Sequence, residues 1–122
     1  MNIALWVIQG LLAAVFAVSG AAKSTLSKPR LIATGQTGVT PFPLPLIRFT
    51  AYCELLGVAG VILPWLTGTA RFLTPLAAAG FAVIMVAAIA SHARLREPLN
   101  VAATTLILAA AVLVSVMRFG AL

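Results

Sequence analysis

Charge is what this sequence has least of. Of its 122 residues only 8% are charged, and Glu54 and Glu97 are the only acids. A soluble domain carries roughly 25% charged residues to make its exterior wettable, so an ordinary soluble globular enzyme is excluded. Cysteine occurs once, as Cys53, which excludes an internal disulfide and a multi-cysteine metal site. Lying in an apolar block, Cys53 reads as a small buried hydrophobe. No Lys or Arg precedes Lys23, so the first apolar block lacks the charged leader of a signal peptide. That block is also longer than a signal core and is read as a first membrane span.

What the chain has is apolar length. Residues 3–22, 45–65, 72–90 and 99–117 form four blocks of 19 to 21 residues, which together take up 79 of the 122. A bilayer core needs about 20 such residues per helix. The fold class is therefore all-α, an integral membrane four-helix bundle in one transmembrane domain covering 1–122. The remaining residues make short connections, and any function must lie between the helices, in the loops, or with a partner.

The net charge of +6 would suggest nucleic acid in a soluble protein. Here the basic residues flank spans, which argues for the lipid bilayer as partner and against nucleic acid. Lys23, Lys28, Arg30, Arg48, Arg94 and Arg96 fall on one side, Arg71 and Arg118 on the other. This bias puts the first and third connections in the cytoplasm and both termini on the non-cytoplasmic side.

The connections at 66–71 and 91–98 are short and predict antiparallel neighbours. The connection at 23–44 is long, and loops of that length often carry function. Ser27-Lys28-Pro29 reads as a helix start and Gly35 as a stop, predicting a short helix at the membrane surface. Pro41, Pro43 and Pro45 then force an extended entry into the second span. For helix packing, Gly10 with Ala14, Gly57 with Gly60, Ala78 with Ala82, and Ala102 with Ala109 and Ala110 offer small-residue surfaces.

Polar groups inside the spans narrow the search. Glu54 lies nine residues after Pro45, so a rise of about 1.5 Å per residue puts it near mid-membrane. A carboxylate there is costly unless paired, hydrated or protonated, so it faces the bundle interior. It serves either a proton- or substrate-binding site or a structural ion pair. Lys23 ends the first span and is expected to turn outward to head groups, meeting Glu54 only if the long loop displaces the spans in depth. Arg48 is six residues before Glu54 on the same helix and roughly 120° away around its axis, which disfavours a direct pair. His92 closes the third span as a solvated helix-end group, an acid/base group or a ligand. Asn100 begins the fourth span, where it caps the helix or joins the same cavity.

Glu97 suits a helix amino terminus electrostatically. Gln9, Ser19, Thr104, Thr105 and Ser115 are read as satisfied by hydrogen bonds along or between helices, with no separate role. Glu54, His92 and Lys23 are thus the candidate catalytic residues, and Arg48, Asn100 and Tyr52 the candidate ligand contacts. One inward-facing polar pocket is the economical account, and no metal ligand set is visible.

Ser19-Gly20-Ala21-Ala22-Lys23, Cys53-Glu54-Leu55-Leu56-Gly57, and Ala88-Ile89-Ala90-Ser91-His92 with the stretch from Arg94 to Asn100 resemble the DoxX-like family along essentially the whole chain. The resemblance implies a small four-helix protein of the bacterial cytoplasmic membrane, with Lys23, Glu54 and His92 as its polar site. It also implies a link to a terminal quinol oxidase, to oxidative-stress assemblies or to receptor chaperoning. His92 is the only histidine, so no pair is present for haem, and no cysteine pair for thiol exchange. Any electron transfer needs a quinone or a partner.

Three functions follow from the sequence. The first is an accessory or quinone-linked subunit of a redox or stress-response system, with a membrane redox partner. The second is an intramembrane enzyme on a small lipophilic substrate, with Glu54 and His92 exchanging protons. The third is an oligomeric proton-coupled transporter. The last is disfavoured because the first span holds no acid and the charge bias fixes one orientation. A homo-oligomer suits so small a bundle, although no residue pattern sets its copy number.

Overall fold

The computed structural model describes residues 2–122. Among them the structure is all helical: α1 (Asn2–Thr25), α2 (Lys28–Ala33), a 3-10 turn (Thr37–Val39), α3 (Leu44–Thr67), α4 (Leu73–Arg94) and α5 (Pro98–Gly120). The four long helices are each long and apolar enough to cross a membrane. They run past the apolar blocks by up to four residues, since polar residues such as Lys23 and His92 find partners and prolong the last turns. The short helix α2 starts after Ser27, with Pro29 in its first turn, and closes just before Gly35, as the sequence predicts. The 3-10 turn was not foreseen.

Helix α1 packs on α3, α3 on α4 and α4 on α5, while α1 and α5 meet only sparsely. The short connections thus join antiparallel neighbours. Gly68 ends α3 in the left-handed region at φ 72°, a conformation that suits a residue without Cβ.

Lipid supplies little hydrophobic drive between helices, so contact is decided by shape and hydrogen bonds. Phe16 of α1 stacks on Phe81 of α4, ring centroids 3.9 Å apart, among buried Leu12, Val61, Ala78, Ala111 and Val114. Gly57 admits Phe81 to this core: a Cβ there would stand 2.5 Å from its ring. Gly60 and Ala78 are also packed, but Gly10 meets nothing within 4 Å and Ala102 and Ala109 face outward. Leu56, Val83, Leu99 and Leu106 are among many large apolar residues on the outer surface, which suits lipid rather than water.

Pro64 breaks the ladder inside α3. It has no N–H for the carbonyl four residues back, and the Thr74 hydroxyl donates to that Gly60 oxygen at 3.0 Å. Gln9 likewise donates to Val61 O at 2.7 Å. A second small core, Leu31, Val39 and Ile47, seats α2 and the 3-10 turn as a cap over one end of the bundle.

Candidate functional site

Beneath this cap lies a cavity of about 790 Å³. Its walls are mainly apolar, from Val15 and Phe16 of α1, Ile47 of α3, Ile84 and Ala88 of α4, and Ile107 of α5. Ser19, Lys23, Gln36, His92 and Asn100 add the polar part. Where α1 and α5 fail to close on one another, the loop at 35–42 fills the gap from above.

Lys23 turns inward, against the sequence expectation. Its Nζ donates to Glu54 Oε1 at 3.1 Å, and the Ser19 hydroxyl lies 3.3 and 3.4 Å from the two carboxylate oxygens. The reason is the length of α1. The helix continues to Thr25, so Lys23 is still inside a turn and stands four residues after Ser19 on the face toward α3. Glu54 is fully buried and stands behind Ser19 and Lys23, outside the cavity lining. Arg48 does not touch Glu54; its Nη1 donates to Lys23 O at 2.7 Å. It thereby satisfies a carbonyl of the last turn of α1, where a cation is electrostatically favoured.

His92 has a different carboxylate. Its Nδ1 lies 2.8 Å from Glu97 Oε1, and because a carboxylate only accepts, Nδ1 carries the proton. In the neutral ring Nε2 is then an acceptor. It stands at the cavity beside Gly38, where a Cβ would come within 3.1 Å. Glu97 also accepts from the Thr37 hydroxyl at 2.9 Å. The hydrogen bonds from His92 and then Thr37 hold the Glu97 carboxyl below its ordinary value. Glu97 therefore ties α4 to the cap, where the sequence suggested a dipole partner for α5; it makes no side-chain cap there.

Three further bonds fix the cap. Ser91 donates to Gly38 O at 2.6 Å, Lys28 to Phe42 O at 2.7 Å, and Asn100 Nδ2 reaches Thr37 Oγ1 at 3.5 Å. Asn100 thus lines the cavity and touches its lid. Tyr52 is not part of this arrangement: it is exposed on the outer face of α3. Cys53 is exposed as well, correcting its expected burial. The inward positions of α3 are Ile47, Ala51, Glu54 and Val61, and a residue adjacent to Glu54 is turned by about 100° from that face.

Of the residues named from the sequence, the structure thus places Lys23, His92 and Asn100 on one cavity, with Glu54 and Arg48 bonded to Lys23. The sequence reading gives Ser19 no separate role and does not name Thr37 or Gly38. The spacing of Ser19 and Lys23 was an available signal; the long-range contacts of Thr37 and Gly38 had none.

A second polar cluster occupies the other end of the bundle. Arg118, read as an outer-side flanking charge, is buried at 3% exposure. Its Nε donates to Gln9 Oε1 and its Nη1 to Asn2 Oδ1, both at 2.8 Å. Gln9, given no separate role from sequence, is fully buried and links α1, α3 and α5.

A family model described as the DoxX-like family matches residues 7–115. No curated protein and no solved structure matches the chain.

Proposed function

Since the chain belongs to the DoxX-like family and is a membrane protein of that family, we propose that it binds a small amphiphilic molecule, of quinone type, as an accessory subunit of a membrane redox or stress-response system. The observation that carries this reading is the capped cavity, apolar along its length, with Lys23, His92 and Asn100 on its wall. Such a lining suits an apolar body with a polar head, since a few placed polar groups fix orientation while apolar walls supply contact.

A quinone fits this donor set. Lys23 Nζ and Asn100 Nδ2 are donors for carbonyl oxygens, and the apolar wall of Val15, Ile84 and Ile107 suits a ring and its tail. When bound, the quinone supplies the electron-carrying group. The chain's own residues bind and orient it: Glu54 and Ser19 position the Lys23 ammonium, Glu97 fixes the His92 ring, and the cap over the cavity excludes water. Electron transfer through such a subunit calls for a membrane redox partner, and the exposed apolar faces of the helices are available to it or to a second copy.

The His92–Glu97 pair supports a second reading, acid/base chemistry on a lipophilic substrate. A histidine oriented by a carboxylate, with its other nitrogen at a cavity, has the arrangement of a general base. In this reading His92 is the base. Glu54, bonded to Lys23 and Ser19, is a positioning residue, unlike the Glu54–His92 exchange considered from sequence.

The charge bias supports a cytoplasmic location for the cap and the 91–98 connection, with both termini outside, in a bacterial cytoplasmic membrane.

The test is native mass spectrometry of the protein purified in lipid, followed by titration with a decyl-substituted benzoquinone read by thermal unfolding. A bound quinone and saturable stabilisation are expected, and Ala88→Phe, which fills the cavity wall, abolishes both while the protein still folds. Retention of a non-quinone metabolite that is chemically converted, with turnover lost in His92→Gln, selects the acid/base reading. The absence of any small molecule, together with equal responses of wild type and Ala88→Phe, overturns both.

A further inference from the structure

The end of the bundle opposite the cap holds two arginines and no acidic side chain. Arg71 lies over the Trp65 ring with its guanidinium carbon 4.0 Å from the centroid, and Arg118 lies over the same ring at 4.5 Å. Among the described residues neither has a carboxylate within 4.0 Å. Among those residues the only ion pairs are Lys23–Glu54 and His92–Glu97, and those use the chain's only two acidic side chains. Two like charges held against one indole ring repel, and the negative face of the ring only partly compensates.

Arg118 is also incompletely bonded. Nε and Nη1 donate to Gln9 and Asn2, whereas Nη2 is buried and has no hydrogen-bond partner among the described residues. A buried, charged donor of this kind calls for an acceptor. Arg118 borders a cavity of about 470 Å³ lined also by Asn2, Trp65 and Arg71 together with Leu5 and Met117. The long helices have 22 to 24 residues, a length of roughly 35 Å at 1.5 Å per residue. This end therefore lies at the depth where a bilayer core gives way to head groups.

We propose that Arg71 and Arg118 form a binding site for a phosphate group, carried by an anionic lipid head group or free in solution. Planar guanidiniums match phosphate oxygens through paired charged hydrogen bonds. Gln9 and Asn2 hold Nε and Nη1 of Arg118, which leaves Nη2 as its donor free for a ligand oxygen, and Arg71, exposed at the rim, closes on it. The site is independent of the capped cavity.

The test uses the full chain, purified in phosphate-free detergent and followed by thermal unfolding. It is titrated with short-chain phosphatidylglycerol and, separately, with inorganic phosphate. A saturable rise in midpoint with the lipid alone assigns a head-group site; a rise with phosphate as well assigns the phosphate itself. Arg71→Gln is expected to weaken the response about tenfold, the loss of one charged hydrogen bond. This exposed change leaves the Gln9–Arg118 bonds in place, so folding is retained, and Arg118→Lys gives an independent second variant. Arg94→Gln, at the other end, leaves the response unchanged. No saturable response to either ligand, or equal responses in wild type and Arg71→Gln, overturns the proposal.

Discussion

Lys23 Nζ and Glu54 Oε1 lie 3.1 Å apart, joining the last turn of α1 to the middle of α3 with the carboxylate fully enclosed. The pair links two neighbouring helices and also holds the ammonium at the cavity wall. Its two charges therefore matter in different ways: Glu54 through Lys23, and Lys23 through whatever enters the cavity.

Removing one member leaves the other buried without a counter-charge. Lys23→Met is expected to destabilise the protein by about 3–5 kcal/mol, whereas Lys23→Met combined with Glu54→Leu recovers most of that loss. Equilibrium unfolding of the two variants in detergent checks this. A double variant no more stable than the single one would show that the pair adds little beyond packing.

Some of this arrangement was legible in the sequence and some was not. A lone carboxylate in the middle of an apolar block has few places to go, so the burial of Glu54 follows from desolvation alone. The partner was misread because the apolar block ends at residue 22, while the helix ends at Thr25. Arg118 was misread for the same reason, as a charge at the edge of a span. Its inward face was nonetheless marked: Thr104, Ala111, Val114, Ser115 and Arg118 are the buried residues of α5 and follow a helical period. In α3 and α4 almost every position is apolar, so no periodicity separates inside from outside, which is why Tyr52 and Cys53 were placed inward. The bond from Thr37 to Glu97 depends on loop closure over sixty residues, and no local pattern encodes it, whereas His92 and Glu97 are five residues apart.

The Glu97 hydrogen bonds make the cap sensitive to acid. Its carboxyl is held below its ordinary value of 4.5 in the folded protein, so its contribution is fully present above that value. It is lost as pH falls through the lower folded value, where the carboxylate is protonated. The protection of residues 37–42 against hydrogen exchange, taken relative to the intrinsic rate at each pH, is therefore expected to hold down to about pH 4.5 and to fall below it. Glu97→Gln should show quicker exchange already at neutral pH and a flat profile. An acid response of the same size in the variant would place the switch elsewhere.

The Phe16–Phe81 stack depends on the missing side chain at residue 57. Gly57→Ala would put a methyl group 2.5 Å from the Phe81 ring, and overpacking of this kind costs about 1–3 kcal/mol. Gly80→Ala, where nothing lies within 4 Å, gains helix propensity of up to about 1 kcal/mol. Thermal midpoints should thus move in opposite directions for the same chemical change. Parallel shifts would mean that helix propensity, rather than the contact with Phe81, decides both.

Orientation can be tested through the loops. Arg118 is bonded inside the bundle, so Arg71 is the exposed cation at its end, against Arg30, Arg94 and Arg96 exposed at the cap end. Each exposed cation opposes transfer across the membrane, and the asymmetry favours keeping the cap end in the cytoplasm. With Cys53→Ser as background, Thr69→Cys is expected to react with a membrane-impermeant thiol reagent on intact cells, and Leu95→Cys only after permeabilisation. Arg94→Gln combined with Arg96→Gln lowers the asymmetry and should make a fraction of Leu95→Cys accessible from outside. Labelling of Leu95→Cys on intact cells without those two changes would reverse the orientation and put the capped cavity on the outer side of the membrane.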